Sequence, residues 1–427
     1  MRKPLSSERE PRRSAQGARA GRRAFAVFAI LGAFACGGPP PVPVAQWTPA
    51  MERIDSPAGP ASAQPFLTAS SRGVLLSWFE NVQGQNVLKF ASRTANGWST
   101  PRKIVSGDDF FLNWADVPSV VRLQNGTLAA HWLRRNSPRG AGYDLEIATS
   151  SDEGQSWAPA FSPHHDGTKT QHGFASLFEM PGGSTPFGLV WLDGRQTTPA
   201  ADPDDDAVGE MTLRSARYDA SWQQQADDGV DLRVCDCCPT ASASTADGIV
   251  VAYRDRSADE IRDIYVTRLA DGKWSEPAAV HNDGWKIDGC PINGPALSAS
   301  GRDVAVAWFA APQDEGHSFV AFSRDGGRTF GAPVRVDDEG SFGRVSVAQL
   351  PDGSAVVSWI ELANRQATFR IRRVGRDGSR SPALTVFDVG SRRGTSYPRL
   401  VRGDRELVLA WVDGDPSRVQ AAVVRLP

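Results

Sequence analysis

Residues Asp247–Trp274 read "DGIVVAYRDRSADEIRDIYVTRLADGKW": a turn, a strand, a charged loop, a second strand and a closing turn. The first strand, "GIVVAY", is an apolar run that ends on an aromatic residue. The same pattern recurs as "GVLLSW", "TLAAHW", "FGLVW", "DVAVAW", "SAVVSW" and "LVLAW". The terminal aromatics are Trp78, Trp132, Trp191, Tyr253, Trp308, Trp359 and Trp411, at intervals of 54, 59, 62, 55, 51 and 52 residues. By length alone, 427 residues would hold two or three domains. A period of this size running through the chain indicates instead one array of similar supersecondary units.

Alternating apolar positions and turn residues divide each repeat into four strands. In the sixth these are Arg344–Leu350, Ser354–Ile360, Ala367–Val374 and Pro382–Asp388. Hairpin turns at Asn125-Gly126, Asp247-Gly248 and Asp352-Gly353 join first strands to second ones. The last repeat stops after three strands at "VQAAVVRLP", and an orphan fourth strand around Trp47 precedes the first. Pairing the two completes a seventh blade and leaves no exposed edge. The expected fold is an all-β, seven-bladed β-propeller of four-stranded blades over residues 46–427, closed by the N-terminal strand. A six-bladed ring, with one aromatic strand outside the array, is the alternative.

The N-terminus reads as a targeting segment. Arg22 and Arg23 precede an apolar run, Ala24–Ala35, too short to span a bilayer but suited to a signal-peptide core. Cys36 follows Ala35, so residues 1–36 resemble a bacterial lipoprotein signal with Cys36 as the lipidated residue, and cleavage near Ala35 without lipidation is the alternative. Residues 37–45 are a Pro/Gly tether. Both readings export the protein, to the bacterial cell envelope through a lipid anchor or into the medium. Residues 1–35 carry eight basic and two acidic side chains, so the chain's net charge of −2 leaves −8 for the rest. That balance argues against a nucleic-acid partner, which needs a basic surface.

In a propeller the residues after each second strand and before each first strand converge around one mouth of the central channel. The first set contains Glu80, Arg134, Arg135, Asp193, Arg195, Arg254, Asp255, Arg256, Glu361, Asp413 and Asp415. The second contains Asp116, His172, Cys235, Cys237, Cys238, Cys290, Arg344, Tyr397 and Arg399. Asp193, Asp255 and Asp413 sit in repeated pieces, "WLDGR", "YRDR" and "WVDGD", where a carboxylate can serve simply to fix its loop. Arg344, Tyr397, Arg399 and His172 are not repeated and carry more functional information. His164, His165 and His317 read as solvated loop residues.

Two turns, "SSDEGQSW" (Ser150–Trp157) and "SRDGGRTF" (Ser323–Phe330), match the Asp-box pattern Ser-x-Asp-x-Gly-x-x-Trp/Phe, whose carboxylate and glycine serve the turn. With the repeat and the export signal, they make residues 45–427 resemble the sialidase superfamily of secreted propellers with BNR repeats. The resemblance implies an exo-glycosidase that binds an acidic sugar by three arginines, with a Tyr/Glu nucleophile pair and an Asp acid/base. On this chain it points to Tyr397, Glu361 and Asp255 as catalytic candidates, and to Arg195, Arg254, Arg344, Arg399 and Asp116 as substrate-binding ones. The Arg-Ile-Pro motif of true sialidases is absent, and the family typically has six blades.

In an oxidising compartment Cys235, Cys237, Cys238 and Cys290 are candidates for disulfides, with three pairings open. "RVCDCCPT" and "WKIDGCPINGP" both place Cys-Pro just before an inner strand, so Cys238 and Cys290 should be neighbours. A vicinal Cys237–Cys238 bond is a further option. A thiolate site for Cu(I) or Zn, with His172 or His281 added, is the other reading of the cluster. The expected function is a glycan-binding or glycan-cleaving exported monomer with an acidic ligand and no required cofactor. The alternative is a non-catalytic lipoprotein serving as a protein- or metal-binding platform.

Overall fold

A computed structural model describes residues 42–137, 141–181, 186–198, 208–390 and 397–426. The export segment and Cys36 lie outside the described residues. The strands form seven antiparallel sheets, and in the first six the order along the sheet follows the order in the chain. Blade 1 runs from Ser62–Ser70 through Gly73–Val82 and Gln85–Thr94 to Gly97–Trp98 and Arg102–Gly107. Blade 2 has Ser119–Arg122, Leu128–Arg135 and Tyr143–Ser150, and its outer position holds a single bridge, Ile147 to Phe161. Blade 3 spans His172–Glu179 to Gln224–Asp231, blade 4 Ala241–Thr245 to Ala278–Ala279, blade 5 Ala296–Ser300 to Val334–Arg335, and blade 6 Ser341–Gln349 to Leu384–Gly390. Blade 7 takes Arg399–Arg402, Glu406–Asp413 and Arg418–Arg425 from the C-terminal part of the chain and Met51–Ile54 from the N-terminal part.

The pairing strand lies later than expected. Met51–Ile54 pairs with Arg418–Arg425, while Trp47 follows a 3-10 turn, Val44–Gln46, and is buried between blades 6 and 7. The Val42 carbonyl accepts a bond from Arg373 Nη1 (2.9 Å), so chain assigned to the tether is already docked.

Second strands are apolar at consecutive positions because neighbouring blades cover both of their faces. In Gly248–Arg254 every residue is buried. Ile249, Val251 and Tyr253 meet blade 3, and Val250 and Ala252 meet blade 5. The period-2 alternation thus sorts side chains between two neighbours. Seven apolar clusters result, one between each pair of adjacent blades, and the one joining blades 7 and 1 closes the ring. Every repeat aromatic lies in one of them, at most 2% exposed. A ring of this kind removes roughly 150–250 Å² from water, about 4–6 kcal/mol of transfer free energy before ordering costs.

At the mouth the inner strands of blades 1, 3 and 6 carry bulges, with register shifts at Ala63/Phe66, Gly173/Ser176 and Gly343/Ser346. Each bulge contains a non-glycine residue in the left-handed region: Gln64 (φ 57°), Phe174 (φ 51°) and Arg344 (φ 54°). Such residues cost about 1–2 kcal/mol each and are held by their surroundings. Asp116 Oδ2 accepts the Phe174 amide (2.7 Å) and Asn293 Oδ1 accepts the Arg344 amide (2.8 Å). Asp116 and Asn293 therefore do the same job in two blades.

Candidate functional site at the channel mouth

The seven inner strands enclose an axial channel of about 810 Å³, with Asp116, Phe174, Tyr397 and Arg399 in its wall. Across the mouth runs a stack of aromatic and guanidinium planes. Arg344 lies 4.5 Å over Trp114, Trp114 stacks on Tyr397 at 5.9 Å and 20°, and Arg399 lies 5.1 Å from Tyr397 and 4.6 Å over Phe66. Trp114 comes from the loop entering blade 2, so the stack ties it to blades 6, 7 and 1. Arg344, Tyr397 and Arg399 are thus brought together, with Trp114 between the first two.

Burial sets the protonation states here. It lowers Arg399 to about 10, with Tyr397 opposing, and the guanidinium keeps its charge at neutral pH. It raises Tyr397, whose hydroxyl donates to the Ile292 carbonyl. It raises Asp116 to about 7, against the Phe174 amide.

The other candidates occupy different positions. Glu361 is 1% exposed. It accepts the Trp359 indole N–H and the amides of Asp338 and Glu339, the latter at 2.8 Å. Glu80 and Asp193 receive the indoles of Trp78 (3.0 Å) and Trp191 (2.8 Å) in the same way. A carboxylate two residues after the aromatic thus anchors the ring and its loop. Arg254 donates to the carbonyls of Asn293 (2.9 and 2.7 Å) and Phe309 (2.7 Å), fastening blade 4 to blade 5, and its guanidinium lies 4.8 Å over Trp285. Asp255 donates its amide to the Asp263 carbonyl (3.0 Å), and burial followed by Asp231 raises its carboxyl to about 7. Asp413 caps the Gly414 amide (2.7 Å).

Cys237 is bonded to Cys290, and Cys235 and Cys238 are buried free thiols with sulfurs 3.2 Å apart. Of the pairings left open, Cys237–Cys290 is the one formed. Cys238 Sγ accepts the Asn293 amide (3.4 Å), and Arg262 Nη1 reaches Cys235 Sγ (3.4 Å). Burial would raise the Cys235 thiol, but the Cys238 hydrogen bond, the Cys237 amide and Arg254 bring it to about 7. A three-thiolate site on Cys235, Cys237 and Cys238 would require the disulfide to be open.

Arg195 is held by Asp193 (Nε to Oδ1, 2.7 Å; Nη2 to Oδ2, 2.8 Å) and lies 3.5 Å from Asp166. Behind this pair, His172 and His164 stack with centroids 3.7 Å apart and planes at 5°. His164, expected to be solvated, is 8% exposed, whereas His165 is exposed. His317 is half-buried and bonds Asp337 Oδ2 (3.0 Å). Sequence reasoning also missed Trp114, Asp144 and Asp166. The concentration of imidazole and carboxylate in "HHDGTKTQH" (164–172) was the one available signal.

No family model and no curated protein matches the sequence. Among solved structures, the chain is similar to the polysaccharide lyase Uly1, with 9% identity over 86% of this chain and 90% of that one and a TM-score of 0.52. It is also similar to a puromycin hydrolase (12% identity, 84% of this chain and 52% of that one, TM-score 0.48). A mutant of the NanB sialidase from Streptococcus pneumoniae is a third neighbour (7% identity, 88% and 94%, TM-score 0.44). At these identities the likeness is one of fold alone.

Proposed function

We propose that the channel mouth binds an acidic glycan through Arg399 and Arg344, with Trp114 and Tyr397 as the platform for its sugar rings. One observation carries the reading. Arg399 lies half-buried in the channel wall beside Phe66 and Tyr397, its Nε is shielded from solvent without a hydrogen-bond partner, and no carboxylate among the described residues pairs with it. A cation partly withdrawn from water without a counter-ion is costly. A ligand carboxylate supplies the counter-ion together with two-pronged hydrogen bonds. Asp193, Glu361 and Arg254 are occupied in holding loops, so the reading rests on the residues of the stack.

Hydrolysis is the further step of the proposal. Asp116, protonated up to about pH 7, is the group suited to give a proton to a glycosidic oxygen. Export belongs to the same proposal and is supported by the apolar run Ala24–Ala35 behind Arg22 and Arg23.

Calorimetric titration with uronate- and sialate-containing oligosaccharides, and with neutral ones, tests the reading. The acidic ligands should bind, and Arg399→Ala should weaken them by about 10- to 100-fold while Arg399→Lys keeps part of the affinity. Equal binding of neutral and acidic sugars, or an Arg399→Ala variant as tight as the native chain, would overturn it.

A further inference from the structure

We propose that Asp144, His164 and His172 form a binding site for one divalent transition-metal ion of the zinc class, beside the channel mouth. The site lies between blades 2 and 3. Asp144 is on the third strand of blade 2, His172 opens the inner strand of blade 3, and His164 is on the loop between them. A parallel bridge from Tyr143 to Gln171 and the Tyr143 amide on the Thr170 carbonyl (3.2 Å) lock the two segments together. Asn136 Nδ2 clamps Asp144 Oδ1 (2.8 Å) and the Thr170 carbonyl (3.0 Å).

The hydrogen bonds around His172 set its tautomer. Its Nε2 lies 3.0 Å from Asp166 Oδ2, and Asp166 is itself held by the Thr168 amide (2.8 Å) and hydroxyl (2.5 Å). A carboxylate accepts, so Nε2 carries the proton and Nδ1 presents a lone pair. That Nδ1 is buried with no hydrogen-bond partner among the described residues, 3.7 Å from Asp144 Oδ1. Two electron-pair donors face each other across a gap too wide for a hydrogen bond. His164 Nε2, which takes the Leu145 amide in a long 3.4 Å contact, is 4.0 Å from the same oxygen.

The three donor atoms lie within 4.8 Å of one another. Tetrahedral ligands about 2.0–2.1 Å from zinc stand roughly 3.3 Å apart, so closing the set takes side-chain rotations that bring donor atoms together by up to about 1.5 Å and turn the stacked His164 and His172 rings toward a common point. Charge points the same way. Asp144, Asp166 and Asp193 each lie within 4 Å of His172, and the one guanidinium at the cluster, Arg195, pairs with Asp166 and Asp193, leaving two negative charges for a dication when both imidazoles are neutral. Two imidazoles and one carboxylate select zinc-like ions over calcium or magnesium, and Asp166 is the outer carboxylate that orients a metal-bound histidine. Three protein ligands leave a fourth position for water.

The test uses the full chain, stripped by chelator and titrated with Zn2+, then with Co2+. One equivalent should bind and raise the melting temperature, and the Co2+ form should show ligand-field bands without thiolate charge transfer. His164→Gln, on a loop, and Asp144→Asn should each weaken zinc binding about 100-fold and abolish the thermal shift. Cys235→Ser with Cys238→Ser should change neither. A folded native chain that takes up no zinc overturns the proposal, as does metal binding unaffected by the His164 and Asp144 substitutions or lost in the cysteine variant. The outcome is independent of the glycan reading, because it is read without any sugar.

Discussion

Asp116 is buried in the channel wall with one amide on its carboxylate, and burial pushes its pKa to about 7. In the unfolded chain the same carboxyl ionises near 3.9. Its folded pKa is the raised one, so folding is most favoured below about pH 4, and stability is lost as pH rises toward 7. Asp116→Asn removes that penalty. It also keeps an oxygen for the Phe174 amide, as Asn293 does for Arg344. We expect thermal melts to show the variant stabilised by several degrees at pH 8 and hardly at all at pH 4. A gain of equal size at both pH values would mean that Asp116 is not held protonated. Arg399, Tyr397 and Arg344 stood out in the sequence because they break the repeat, and the fold brings them into one stack. Glu361 and Arg254 looked equally chemical in the sequence, and their occupation by an indole, amides and carbonyls is visible only with the neighbouring loops in place.

Among the elements, the turn from Ser150 to Trp157 holds itself together and packs one blade on the next. Asp152 accepts the Ser156 amide (3.0 Å) and hydroxyl (2.6 Å), and Ser150 Oγ takes the Gly154 amide (2.9 Å). Gly154 has φ +79°, and a Cβ there would sit 2.5 Å from Phe90, which meets Trp157 edge-on at 6.0 Å. Gly154→Ala should therefore cost roughly 1 kcal/mol for the backbone plus about 1–3 kcal/mol for the clash. Gly84→Ala, at φ +88° with nothing within 4 Å, should cost only the backbone share. Denaturant unfolding measures both, and equal losses would remove the packing role assigned to Gly154. The turn's geometry was readable in advance because its hydrogen bonds are local. The bulges at Gln64, Phe174 and Arg344 were not, since they depend on caps contributed by other loops.

At the scale of the molecule, closure joins chain segments more than 300 residues apart. Met51–Ile54 completes blade 7, and Arg93 pairs with Glu406 across blades 1 and 7 (2.7 and 3.2 Å). Removing residues 42–54 would strip Trp47 from the cluster between blades 6 and 7 and leave the edge of Arg418–Arg425 unpaired. A truncated chain should melt at least several degrees lower and self-associate through that edge, as read by calorimetry and gel filtration. A monomer of unchanged melting temperature would show that closure rests on the apolar contact of blades 7 and 1 alone.

The sequence by itself determined the blades, their number and the place of each buried aromatic. Those depend on an alternation of period two and on turns whose bonds close within a few residues, and the repeat states that pattern seven times. Only the tertiary structure decided which charged groups are struts and which face the channel. Arg254 is satisfied by carbonyls 39 and 55 residues away, whereas Arg399 lies against the rings of Phe66 and Tyr397 with no carboxylate beside it among the described residues. It also decided that Cys237 rather than Cys238 bonds Cys290, and that His164 lies buried on His172. Each outcome is set by which partner a neighbouring blade presents at the moment of burial, and that identity is carried by distant parts of the chain.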